Sequence, residues 1–107
     1  MGSRRLAREV ALRVLFQVDV GKADPQAALE RSLKQVPLSP AQAAFARQLV
    51  EGTLAHQQEI DRLIARFAID WTLERMANVD RNVMRMALFE ILYLKEIPPG
   101  VSINEAV

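Results

Sequence analysis

Apolar positions recur along the N-terminal segment with helical spacing. Leu6, Val10, Val14 and Val18 stand four apart, with Ala7, Ala11 and Leu15 beside them. The stripe predicts an amphipathic helix from about Arg4 to Val20, with Gly21 as its C-terminal stop. Asp24-Pro25 then supplies an N-cap and a proline at the first helical position, opening a second helix that runs to about Gln35. Pro37 ends it. Ser39-Pro40 repeats the device, and Gln42 completes a capping-box pattern with Ser39. Phe45, Ala46, Leu49, Val50, Thr53 and Leu54 form the next stripe. Gly52 inside it costs about 1 kcal/mol relative to alanine, which points to close helix packing. A break near His56 separates this stripe from Ile60, Leu63, Ile64 and Phe67.

The most apolar helix comes last. Asp80 is placed as its N-cap, with Val79 and Met84 spaced to form a hydrophobic staple across it. From Val83 to Leu94 only the charges of Arg85 and Glu90 interrupt the apolar run. A helix apolar on nearly every side must be surrounded, so this one is expected at the centre of a bundle. No strand-type alternation competes and no internal repeat is present, so the predicted fold class is all-α. After Pro98-Pro99-Gly100, Ser102 and Glu105 have capping-box spacing and announce another helix. The expectation is a single helical domain over 1–107 that is C-terminally incomplete, because Val107 comes too soon to cover the central helix.

Composition narrows the chemistry more than the fold. The chain has 107 residues and a formal net charge of +1, so a polyanionic partner would have to be recognised by a local cluster. It has no cysteine, and His56 is the single histidine, which argues against disulfides and against thiolate or histidine metal sites. No signal peptide or membrane span is visible, and a cytoplasmic location is the default expectation. There is no glycine-rich phosphate loop and no nucleophile–base set, so neither catalysis nor a cofactor is expected.

Arg4, Arg5 and Arg8 lie within about one turn at the start of the first helix, with Arg13 further on. A helix N-terminus disfavours clustered cations. Converging guanidinium groups and free backbone N–H groups suit a phosphate at the same place. From these residues alone the cluster reads either as a nucleic-acid backbone contact or as a solvated basic end offset by Glu9. Phe45, Phe67 and Phe89 fall on apolar stripes and are expected in the core. Phe16 stands off the stripe, and Trp71 precedes the last helix as a core lid or an interface anchor. His56 is expected at a helix terminus or on the surface.

Three segments carry a family resemblance. RRLAREVALRVLFQ (4–17), FARQLVEGTL (45–54) and above all DWTLERMANVDRNVMRMALFEILYLKEIPPGVSINEAV (70–107) resemble the NusB family of bacterial transcription antitermination factors. The likeness spans nearly the whole chain and is weakest over 21–36. It implies an all-helical fold of two packed helical sub-bundles and no enzymatic activity. It also implies binding of boxA-type single-stranded RNA of ribosomal RNA transcripts together with NusE, a small-subunit ribosomal protein, to promote elongation by RNA polymerase. The family's arginine-rich N-terminus falls on Arg4, Arg5 and Arg8, implying RNA contact, and its NusE-facing acidic positions fall on Glu74 and Asp80. Leu6 stands where some relatives add an arginine. Family chains continue past the equivalent of NEAV with helices missing from this chain, so a homo-oligomeric or swapped assembly covering the open core is a further expectation. Two other readings stay open: the related RNA-binding domain of a ribosomal RNA cytosine methyltransferase, and a helical protein-interaction module without RNA binding.

Overall fold

Five helices follow one another in the computed structural model, which describes residues 2–67 and 78–94, with side chains over 4–66 and 81–94. They are α1 (Gly2–Asp19), α2 (Pro25–Gln35), α3 (Pro40–Ala55), α4 (Gln57–Phe67) and α5 (Asn78–Tyr93). No strand occurs among the described residues. The local signals place the boundaries of α2 and α3. The Asp24 carboxylate accepts from the Ala27 N–H, and Pro25 opens α2. At α3, Ser39 and Gln42 bond reciprocally, Gln42 N–H to Ser39 Oγ at 3.1 Å and Ser39 N–H to Gln42 Oε1 at 2.8 Å. His56 is the C-cap of α3, and its N–H donates back to Gly52.

The end of α1 differs from expectation. Gly21 does not carry a positive φ; Lys22 does, at 55°. Gly21 is instead a close approach, where a Cβ would lie 2.9 Å from the carbonyl oxygen of Gln17. α5 also differs. It already includes Asn78, so Asp80 lies within the helix rather than at its cap. The side chains of the Val79–Met84 staple pair are only half described, and Trp71, Met76 and the segment 95–107 with its capping box lie outside the described residues.

α1, α2 and α3 pack on one another, α4 pairs with α5, and α5 lies against both α1 and α3. The main core runs through all five helices. It joins Val14 and Leu15 of α1, Leu29 of α2, Leu49 and Val50 of α3, Ile60 and Ile64 of α4, and Met86 and Phe89 of α5. A smaller cluster, Ala7, Val10 and Ala46, lies beside it under Phe45. Gly52 is where α3 meets α5: a Cβ there would sit 1.9 Å from Cζ of Phe89. The predicted close packing is therefore a backbone pressed against an aromatic ring.

The two charges within the apolar run of α5, Arg85 and Glu90, are not exposed breaks in it. Arg85 is buried and donates to Asp61 of α4 at 2.7 and 2.9 Å. Asp19, at the C-terminus of α1, accepts from Arg81 and from Asn82 Nδ2 at 3.1 Å, with Arg85 Nη1 3.7 Å away. An anion at a helix C-terminus and a cation in a helix's first turns are each unfavourable to the helix dipole. Here they cancel across the α1–α5 contact. Burial works to raise the Asp19 pKa, but the hydrogen bonds from Arg81 and Asn82 and the charges of Arg81 and Arg85 together hold it below the ordinary carboxylate value.

The expectation that α5 is surrounded holds for one face only. Asn82, Arg85, Met86 and Phe89 are buried, whereas Val83 and Met84 are about 40% exposed and Ile91 is 70% exposed. These exposed positions fall together opposite the core-facing positions, since 83, 87 and 91 repeat at four-residue spacing on one side of the helix.

Candidate nucleic-acid interface

The N-terminal arginines are carried by the first two turns of α1, which begins at Gly2. Arg4 and Arg8, four residues apart, share a face, and both reach the ring of Phe45 on α3, with guanidinium carbons 5.6 and 5.5 Å from its centroid. A guanidinium over an aromatic face is held by the ring's quadrupole, at about 0.5–1 kcal/mol where partly exposed. Phe45, expected in the core, is half-buried and serves as the shelf on which the two arginines gather.

Arg8 is bound a second way. Its Nε donates to both carboxylate oxygens of Glu90, at 3.2 and 3.0 Å, and its Nη2 donates to Oε1 at 2.8 Å. The pair is partly exposed, 40% for Arg8 and 21% for Glu90. Arg5 turns away from this group and pairs with Glu9 at 3.4 Å, both largely exposed. The i,i+4 spacing points to Arg13 as the partner of Glu9; the structure joins Glu9 to Arg5. The structure thus assembles Arg4 and Arg8 with two residues the pattern did not single out for this role, Phe45 and Glu90, and sets Arg5 apart.

Of the expected partner-facing acids, Glu74 lies outside the described residues, and only the backbone of Asp80 is described, in α5. Phe16 on α1 is 36% exposed, and Val20, just past the end of that helix, is 42% exposed, so the position off the stripe does reach solvent. About one turn on from Glu90, at the end of α5, Tyr93 stacks on His56 with ring centroids 3.8 Å apart, and its hydroxyl donates to Glu59. That hydrogen bond to the carboxylate raises the Tyr93 pKa. Among the described residues no group of acidic or histidine side chains is placed to hold a metal ion, and no helix is long and apolar enough to cross a membrane.

An isolated phosphate would meet at this corner two guanidinium groups and a counter-charge on Glu90. Two guanidinium groups gathered in this way have the chemistry to suit an anion, but geometry alone does not name one. Comparison with known proteins shows the family. The model of the NusB family matches residues 5–107. The transcription antitermination protein NusB of Desulforamulus reducens is 53% identical over 104 residues, covering 97% of this chain and 73% of that protein. Among solved structures, T. maritima NusB superposes with a TM-score of 0.80 at 36% identity, covering 96% of this chain and 72% of that one. The antitermination factors NusB and NusE in complex with double-stranded RNA give a chain with a TM-score of 0.80 at 27% identity, covering 94% of this chain and 74% of that one. With a family match over almost its whole length, and a relative above half identity, the chain belongs to the NusB family.

Proposed function

We propose that this chain acts in transcription antitermination by binding boxA-type single-stranded RNA of ribosomal RNA transcripts together with the ribosomal protein NusE. Arg4, Arg5 and Arg8 contact the RNA backbone, Glu74 and Asp80 face NusE, and the assembly acts on elongating RNA polymerase. Family membership supports this reading, and a related chain's structure with NusE and double-stranded RNA supports its coarser part, RNA and NusE as partners. The observation that carries it in this molecule is the gathering of Arg4 and Arg8 over Phe45 at the start of α1. With a net charge of only +1, a general polyanion attraction would be weak, so affinity must arise at such a local cluster.

The test is a titration of labelled boxA-type RNA, with a scrambled strand and a duplex as controls, alone and with NusE added. Selective binding of the single strand that tightens with NusE is the expected result. Each phosphate contact on a single strand adds about 0.7 to the slope of log affinity against log salt. Replacing Arg4, Arg5 and Arg8 together by alanine is therefore expected to flatten the slope by about 2. An unchanged slope would make the cluster a solvated basic end and defeat the reading.

A further inference from the structure

Glu90 is placed where no local pattern would ask for an acid. It is one of two charges on the apolar run of α5, and its carboxylate crosses to α1 to meet a residue 82 positions away. There it takes Nε and Nη2 of Arg8 in a fork. The same two nitrogens form one of the edges with which an arginine grips a phosphate. Arg4 and Arg8 also stand as like charges four residues apart on one helix, drawn together over a single ring, an arrangement that costs free energy unless an anion lies beside it. Among the described residues, Glu90 is such an anion, set beside Arg8.

We propose that Glu90 is a specificity-determining residue for RNA binding: an internal counter-ion that occupies the phosphate-gripping edge of Arg8 and must be displaced or shared when RNA binds. The proposal rests on the reading of Arg4 and Arg8 as RNA contacts. Its consequence is selective. A strand that makes many other contacts can displace or share the carboxylate, whereas a generic polyanion meets a corner whose second arginine is already neutralised. Glu90 thereby holds down the sequence-independent electrostatic part of binding, which depends on the number of phosphates neutralised. Because the pair is partly exposed, the carboxylate is a modest competitor, equivalent to a few-fold in affinity rather than an absolute block.

The experiment compares the parent chain with Glu90→Gln, Arg8→Ala and the double variant. The probes are the boxA-type strand and a scrambled strand of equal length, titrated over a range of salt. Glutamine keeps the shape of the side chain and removes its charge, and thermal melting checks that all four proteins are folded. Glu90→Gln is expected to tighten the scrambled strand about two- to fivefold and to steepen its salt slope by up to about 0.7, while the boxA-type strand, which already displaces the carboxylate, tightens by less and keeps its slope. In the Arg8→Ala background the same change is expected to do nothing. If Arg8→Ala weakens binding but Glu90→Gln leaves it unchanged or weakens it, the counter-ion role is overturned while the RNA reading stands. Should Arg8→Ala itself have no effect, or the parent bind neither strand, the RNA reading fails and the role of Glu90 with it.

Discussion

Lys22 shows how far a single position can be read from its neighbours. The apolar stripe and the glycine after it mark where α1 stops, and the helix does stop at Asp19. The left-handed residue, however, is Lys22 rather than Gly21. Gly21 is needed for the space its missing Cβ leaves against the Gln17 carbonyl. Residue type signals that a turn is present, but which backbone atom comes close is settled by the path to α2. A side chain in the left-handed region costs about 1 kcal/mol that glycine avoids. Lys22→Gly is therefore expected to raise stability by about 1 kcal/mol. The check is a higher urea midpoint with an unchanged slope; an unchanged or lower midpoint would show that Lys22 is not strained.

The helices themselves were legible because their signals are local. Two caps each followed by a proline, one capping box and a break at His56 are all written within a few residues of where they act. Packing between helices was legible only where one residue type has few reasons to be present, and Gly52 is that case. By helix propensity alone, Gly52→Ala would stabilise α3 by about 1 kcal/mol. The geometry reverses the sign. The new Cβ would lie 1.9 Å from Phe89 Cζ, and the Phe89 ring lies roughly parallel to those of His56 and Tyr93, which limits where it can go. Overpacking of this kind costs about 1–3 kcal/mol, so a net destabilisation is expected. The double variant Gly52→Ala/Phe89→Leu should recover part of the loss, measured as a coupling between the two sites by chemical denaturation. A gain in stability for Gly52→Ala alone would rule out the close contact.

At the scale of the whole molecule the decisive contacts are electrostatic and distant in sequence, and they were the least legible. Arg85 and Glu90 were visible as interruptions of an apolar helix, and a charge in such a place must find a partner. Spacing cannot say that the partners are Asp61 and Arg8, because both lie on other helices. The same limit applies to the candidate interface: the arginine cluster was readable, while the shelf of Phe45 and the counter-charge of Glu90 exist only once α1, α3 and α5 are packed. The network of Asp19, Asp61, Arg81, Asn82 and Arg85 ties α1, α4 and α5 together, and it gives the fold a pH dependence of known sign. The Asp19 carboxyl is held below its ordinary value in the folded chain, so the unfolded chain takes up that proton more readily. Its contribution is complete above the unfolded value of about 4, and is lost as pH falls through the depressed folded value. Asp19→Asn removes the anion and weakens the charged hydrogen bonds from Arg81, for an expected loss of about 2 kcal/mol near neutral pH. Denaturation of parent and variant in steps from neutral to acid pH should show that gap shrinking below pH of about 4. A gap that stays constant through the acid limb would mean that Asp19 titrates alike in the folded and unfolded chains. The charge of Asp19 would then add nothing to the α1–α5 contact, which would rest on packing and on the Arg8–Glu90 pair.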